Sequence, residues 1–285
     1  AANNTAVGYA ALTANTTGAS NVAVGALAAD ANTTGSWNVA IGHSSLTANT
    51  TGVQNTAVGQ QALYANTTGG GNTALGYNAS QYTTTGSNNT SVGHRALFTN
   101  STGASNVAVG KECLTANTSG EQNVAIGYDC LAANTTAANN TAIGAEALKV
   151  NTTGAGNVAV GQGSLAANTT ANANTAVGTS ALDVNTTGEY NVAVGGDALG
   201  ANTTADNNVA IGKNAMVAAT TGGNNVAIGR DAGDSTITTG GGNIIIGYAS
   251  ELGGAGQENQ VVIATNSAGK GSSTAFISGN GGATY

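Results

Sequence analysis

The chain has 285 residues, 44 of them Gly, none Pro and only 7% charged, with a formal net charge of −7. So few charges beside abundant β-branched residues argue against ordinary disorder. An acidic balance with six Lys and Arg leaves no basis for a nucleic-acid partner, and no apolar run approaches the roughly 20 residues of a membrane span.

The opening "AANNTAVG" lacks Met and already lies inside a repeat, as expected of a piece of something longer. Numbered from its leading Asn, a seventeen-residue repeat starts at Asn4, Asn21, Asn38 and so on through Asn225, fourteen copies without an insertion. A looser copy opens at Asn243 ("NIIIG") and a last one near Asn259 ("NQVVIA"). Spacing this strict means that every copy fills the same physical slot, the mark of a solenoid. The expected organisation is a fourteen-coil solenoid over 1–242, then two irregular terminal coils and a C-terminal cap or junction over 243–285.

Within each copy, N-[VT]-A-[VI]-G alternates β-branched residues with Ala and predicts a short strand. Gly, Asn and Thr are poor helix formers, and Pro, which cannot donate to a strand ladder, is absent. The fold class is therefore all-β, a parallel β-solenoid with 17-residue coils. The fourth position (Val24, Ile41, Val58) reads as the firmest core column, with Leu at the ninth (Leu46, Leu63, Leu97) supplying the core from the other side. Ala at the third position then faces outward, as a flat strip that another chain can approach: Ala23, Ala40, Ala57, Ala108, Ala125 and Ala142 are the candidate interface. Gly at the fifth position and Gly or Ala at the fifteenth mark two corners. Asn at the first and twelfth positions is expected to stack in side-chain ladders.

Candidate chemistry is sparse. Cys113 and Cys130 share the eighth position of adjacent coils, where parallel Cβ vectors suit two free buried thiols better than a disulfide. His43 and His94 lie three coils apart, too far to share a metal or form a catalytic pair. Glu112, Asp129 and Glu146 stack at the seventh position and read as solvated charges. No catalytic residue, metal ligand or cofactor is expected, and no enzyme. The aromatics fall at variable positions along the chain, and Trp37, Tyr64, Tyr77, Phe98 and Tyr128 are the candidate surface contacts. Ice binding is the competing expectation, because Thr recurs at the thirteenth and fourteenth positions. A purely structural filament is a third.

"NVAIG", "NTAVG" and "NNTAIG" resemble the head repeats of trimeric autotransporter adhesins. The longer pattern N-x-A-V-G-x-x-A-L-x-A-N-T-T-G is similar to repeats of bacteriophage tail fibres. This resemblance implies a left-handed roll, a homotrimer, a virion tail-fibre or extracellular location, and host attachment through a cell-surface glycan or protein receptor.

Overall fold

The structure, a computed structural model, describes residues 2–266 and the strand Ala275–Ile277. The cap or junction expected after the last coil lies outside the described residues, apart from that strand. The chain forms two compact units, Ala1–Asn140 and Thr141–Tyr285, and each is a parallel β-solenoid. No helix occurs among the described residues.

The first unit has eight three-residue strands, from β1 (Thr5–Val7) to β8 (Val124–Ile126). Within the unit each strand pairs in parallel with the next, at a register of seventeen: Val39 faces Thr56, Ala40 faces Ala57 and Ile41 faces Val58. The second unit repeats this from β9 (Thr141–Ile143) to β14 (Val226–Ile228) and adds β15 (Ile244–Ile246), β16 (Val261–Ile263) and β17 (Ala275–Ile277), the last pairing Val261 with Ala275 at an offset of fourteen. Its irregular end keeps register. Asn243 is eighteen residues after Asn225, yet Val226 pairs with Ile244. Here Gly233 stands where other coils carry Leu, and Ile237 fills the vacated core: a Cβ on Gly233 would lie 2.9 Å from the Ile237 Cδ1. In the last full coil Gln260, not Asn259, occupies the leading position, its N–H donating to Asn243 Oδ1 at 3.0 Å.

Leu at the ninth position is buried as expected; Leu46, Leu63, Leu97 and Leu114 have no exposed surface. The strand, however, is turned over relative to the expectation. Ala23, Ala40, Ala57, Ala108 and Ala125 in the first unit, and Ala142 in the second, are completely buried. Their neighbours at the second and fourth positions point out, Ile41 being 39% exposed and Leu75 48%. The Ala column is therefore core and cannot be an interface, and the fourth position is surface. The reason is width. A flattened coil places the strand close to the Leu column of the opposite side, and Ala23, Ala40, Leu46, Ala57 and Leu63 pack in one cluster. Two facing layers of large side chains would overfill that gap.

The two corners differ, because Gly holds the fifth position in all fourteen regular coils while the fifteenth also takes Ala at Ala137, Ala171 and Ala205. At the fifth position φ is near +135°, and a Cβ on Gly25 would sit 2.5 Å from the Gly42 carbonyl oxygen of the next coil. At the fifteenth the fit is tight, a Cβ on Gly35 lying against Asn32 Oδ1 and the Gly52 carbonyl, but coils with Ala137, Ala171 and Ala205 shift to admit a methyl group. Three further positions per coil are left-handed, as at Ser44, Leu46 and Gln54, all with φ of 53–59°. Non-Gly residues rarely take this conformation. Here identical turns above and below hold them in it.

Both Asn columns are buried and bonded. At the twelfth position the amides form the expected ladder, Asn32 Nδ2 donating to Asn15 Oδ1 at 3.0 Å and Asn49 Nδ2 to Asn32 Oδ1 at 2.8 Å. The first-position Asn works differently. Asn38 N–H donates to Asn21 Oδ1 at 2.9 Å, and Asn38 Nδ2 reaches the far corner at Gly52 O, also 2.9 Å. It thereby ties the two faces of the coil together. Where the ladder is interrupted it leaves an orphan: Asn66 Oδ1 and Asn202 Oδ1 are buried without a partner, because the next coil offers Thr83 and Ala219 instead of Asn. Replacing Thr83 with Asn should supply the missing donor to Asn66 Oδ1 and an acceptor for Asn100 Nδ2, which now bonds only Gly103 O, and raise stability by about 1 kcal/mol, read as a higher urea midpoint at unchanged slope. An unchanged or lower midpoint would refute the ladder's contribution.

Candidate functional site

Two surfaces stand out, one regular and one irregular. The regular one consists of the outward second and fourth positions. In the first unit they are Thr or Val followed by Val, Ile or Leu in every strand, from Thr5 and Val7 to Val124 and Ile126, with no charged residue among them. In the second unit the columns continue in kind, with Ile211, Ile228, Ile246 and Ile263 all exposed by more than a third. In-register pairing makes this face evenly spaced along each unit. Large uncharged apolar strips of this kind mark interaction surfaces in soluble proteins.

The Thr columns are unequal. The thirteenth-position hydroxyls turn back onto the next coil, Thr33 Oγ1 donating to Thr50 O at 3.0 Å and Thr50 Oγ1 to Thr67 O at 3.1 Å. Only the fourteenth position (Thr34, Thr51, Thr68) is an exposed Thr column.

The irregular surface lies in the first unit. Tyr77, His94, Lys111 and Tyr128 share the sixth position of four successive coils. The Tyr77 and His94 rings stack, centroids 5.4 Å apart and planes 14° from parallel. The Lys111 ammonium lies 5.4 Å from the Tyr128 ring centre. Beside this column, the Arg95 guanidinium covers Phe98 at 4.3 Å, and Tyr82 meets Phe98 edge-on at 5.0 Å. Three of the five expected contact residues, Tyr77, Phe98 and Tyr128, thus belong to one ridge. Tyr64 sits at the tenth position one coil before it, and Trp37, 61% exposed, stands in an earlier coil. Composition alone does not single out Tyr82, Arg95 or Lys111. Stepping through the chain by seventeen aligns Tyr77, His94, Lys111 and Tyr128 at once.

Cys113 and Cys130 form no disulfide and are fully buried, their thiols hydrogen-bonded to each other. Cys113 Sγ donates to Gly127 O at 2.5 Å. The Cys130 thiol, bonded to Cys113, holds Cys113 below the usual thiol range, while the same bond and burial push Cys130 upward. In the second unit Gly200 leaves an open depression of about 480 Å³ between Asp183, Asp197, Asn214 and Val217. Burial, and then the Asp197 charge, raise the Asp183 carboxyl. No group of three His, Cys, Asp or Glu is placed to hold a metal ion among the described residues. Of the stacked acids, Glu112 approaches Lys111 at 3.9 Å and Glu146 pairs with Lys149 at 2.9 Å.

The fold defines the class: a tandem-repeat parallel β-solenoid. Comparison with protein-family models and with curated proteins returns no match. No helix among the described residues is long and apolar enough to cross a membrane.

Proposed function

We propose that this chain is a non-enzymatic fibre segment, a shaft or receptor-contacting part of a tail fibre or surface adhesin, built as a left-handed homotrimer. The observation that carries this reading is the uncharged face of outward Val, Ile and Thr. A regular surface with a seventeen-residue beat can be matched along its length by a copy of itself. The sixteen outward side chains of the first unit's eight strands need bury only about 50 Å² each to reach the roughly 800 Å² per partner of a stable interface. Repeats joined end to end and side by side make a stiff spacer.

Introducing Glu at both Val109 and Ile126 should convert the assembled protein to single chains in light scattering while β-type circular dichroism persists. Retained assembly in that variant would overturn the interface. The same periodic face, with the exposed fourteenth-position Thr column, favours ice binding as the second reading. The fibre reading expects no thermal hysteresis from the wild type, and ice shaping that disappears in the double variant would replace it.

A further inference from the structure

We infer that the depression at Gly200 in the second unit is a binding site for an alkylammonium group, the head of a polyamine or of a lysine side chain. The coil repeat itself makes the depression. Regular coils carry a side chain at the tenth position, as Thr47, Tyr64, Phe98 and Lys149 show, and Gly200 is the only Gly in that column. The place it leaves open lies between Asp183 and Val217, the tenth-position residues of the coils before and after. Asp197 and Asn214 border it at the seventh position. The result is an open cavity of about 480 Å³ with Val184 and Val217 among its walls. None of the lining comes from the outward second and fourth positions, so the site is separate from the apolar face.

The polar groups of this cavity are acceptors, and their charge is unmatched. Residues 174–207, the two coils that supply both carboxylates and Gly200, hold Asp183, Glu189, Asp197 and Asp206 and no Lys, Arg or His. The nearest cation in the sequence, Lys213, stands in the following coil, and neither Asp183 nor Asp197 makes an ion pair among the described residues. Asn214 Nδ2 donates to Asp231 Oδ1 at 2.9 Å, in the coil on the far side from Asp197, which leaves the amide oxygen for the cavity. Burial, and then the Asp197 charge, raise the Asp183 carboxyl, as negative charge without a counter-ion does. The chemistry then narrows the ligand. A hard metal ion takes about six or more oxygens, and no group of three acids or histidines converges among the described residues. An anion is repelled. An alkylammonium brings three N–H donors to the acceptors and lays its methylenes along Val184 and Val217.

The test is titration calorimetry of the intact protein with putrescine and with Nα-acetyl-lysine methylamide, 1,4-butanediol serving as the uncharged control. Both amines should bind saturably and the diol should not. Asp183→Asn and Asp197→Asn should each weaken binding by about tenfold or more, as expected for loss of a charged hydrogen-bond partner. Gly200→Phe should abolish binding with circular dichroism unchanged, because Phe98 fills the same position in another coil. Glu189→Gln, which removes an acid from the same coils at the sixteenth position, should bind as wild type. Tighter binding of putrescine than of the lysine analogue assigns the site to a free polyamine, and equal binding assigns it to a partner's lysine side chain. The site is overturned if neither amine binds or if the diol binds as well. It is equally overturned if Gly200→Phe and the two Asp variants bind undiminished, or if Glu189→Gln weakens binding as much as they do.

Discussion

Ala125→Glu is expected to destroy the folded β signal of its coil and its neighbours, while Ile126→Glu, one residue further on, leaves single chains folded. Ala125 has no exposed surface and Ile126 is 38% exposed. A carboxylate forced into the inner column has no cationic partner and no water. An uncompensated buried charge costs about 3–5 kcal/mol, and overpacking a filled core adds about 1–3 kcal/mol. Domains have only about 5–15 kcal/mol in total. A solenoid holds each coil chiefly through its two neighbours, so the damage spreads from the substituted coil. At Ile126 the new carboxylate stays in water, and the cost is the roughly 1 kcal/mol span of strand preferences. Thermal melts followed by circular dichroism decide it. Equal melting of the two variants, or greater damage from Ile126→Glu, would mean that the strand's inner and outer faces are reversed.

The second large effect is at the invariant corner. Gly93→Ala should lower stability by at least about 3 kcal/mol, because two penalties combine. Its φ of +132° is a strained region for any side chain, worth about 1–3 kcal/mol. The new Cβ would also lie 2.5 Å from the Gly110 carbonyl oxygen, and that oxygen belongs to backbone fixed by its own ladder. Gly163→Ala is the control. Its φ is +66°, its nearest neighbour would be Ser180 Oγ at 3.9 Å, and other coils carry Ser44 or Glu112 in the same conformation. It should lose only about 1 kcal/mol. Urea unfolding of the two variants measures the difference. Equal losses would show that crowding between coils contributes nothing.

Much of this architecture is legible before any coordinates. The period, the parallel register, the buried Leu column and the paired Asn columns follow from residues recurring every seventeen. The strand's orientation is legible too, but in an unobvious place. Ranking by hydrophobicity puts Val and Ile inside and Ala outside. The alternation is instead set by the first-position Asn: if Asn38 is buried in a ladder, position two points out, Ala40 points in and Ile41 points out. Hydrophobicity misleads here because the coil is too thin for a large residue on both sides. The left-handed φ at Leu46 or Leu97 is not legible at all, since Leu carries no preference for it and only stacking against the neighbouring coils enforces it. The ridge is intermediate. Its residue types look scattered along the chain, and only their shared sixth position brings Tyr77, His94, Lys111 and Tyr128 together.

The central functional claim is that copies of this chain cover its outward Val, Ile and Thr face. Sedimentation equilibrium of the wild-type protein tests it most directly. The expected result is a particle of three times the chain mass, persisting or strengthening as salt is raised, since the buried surface is uncharged. A particle of one chain mass at every concentration and salt would contradict it.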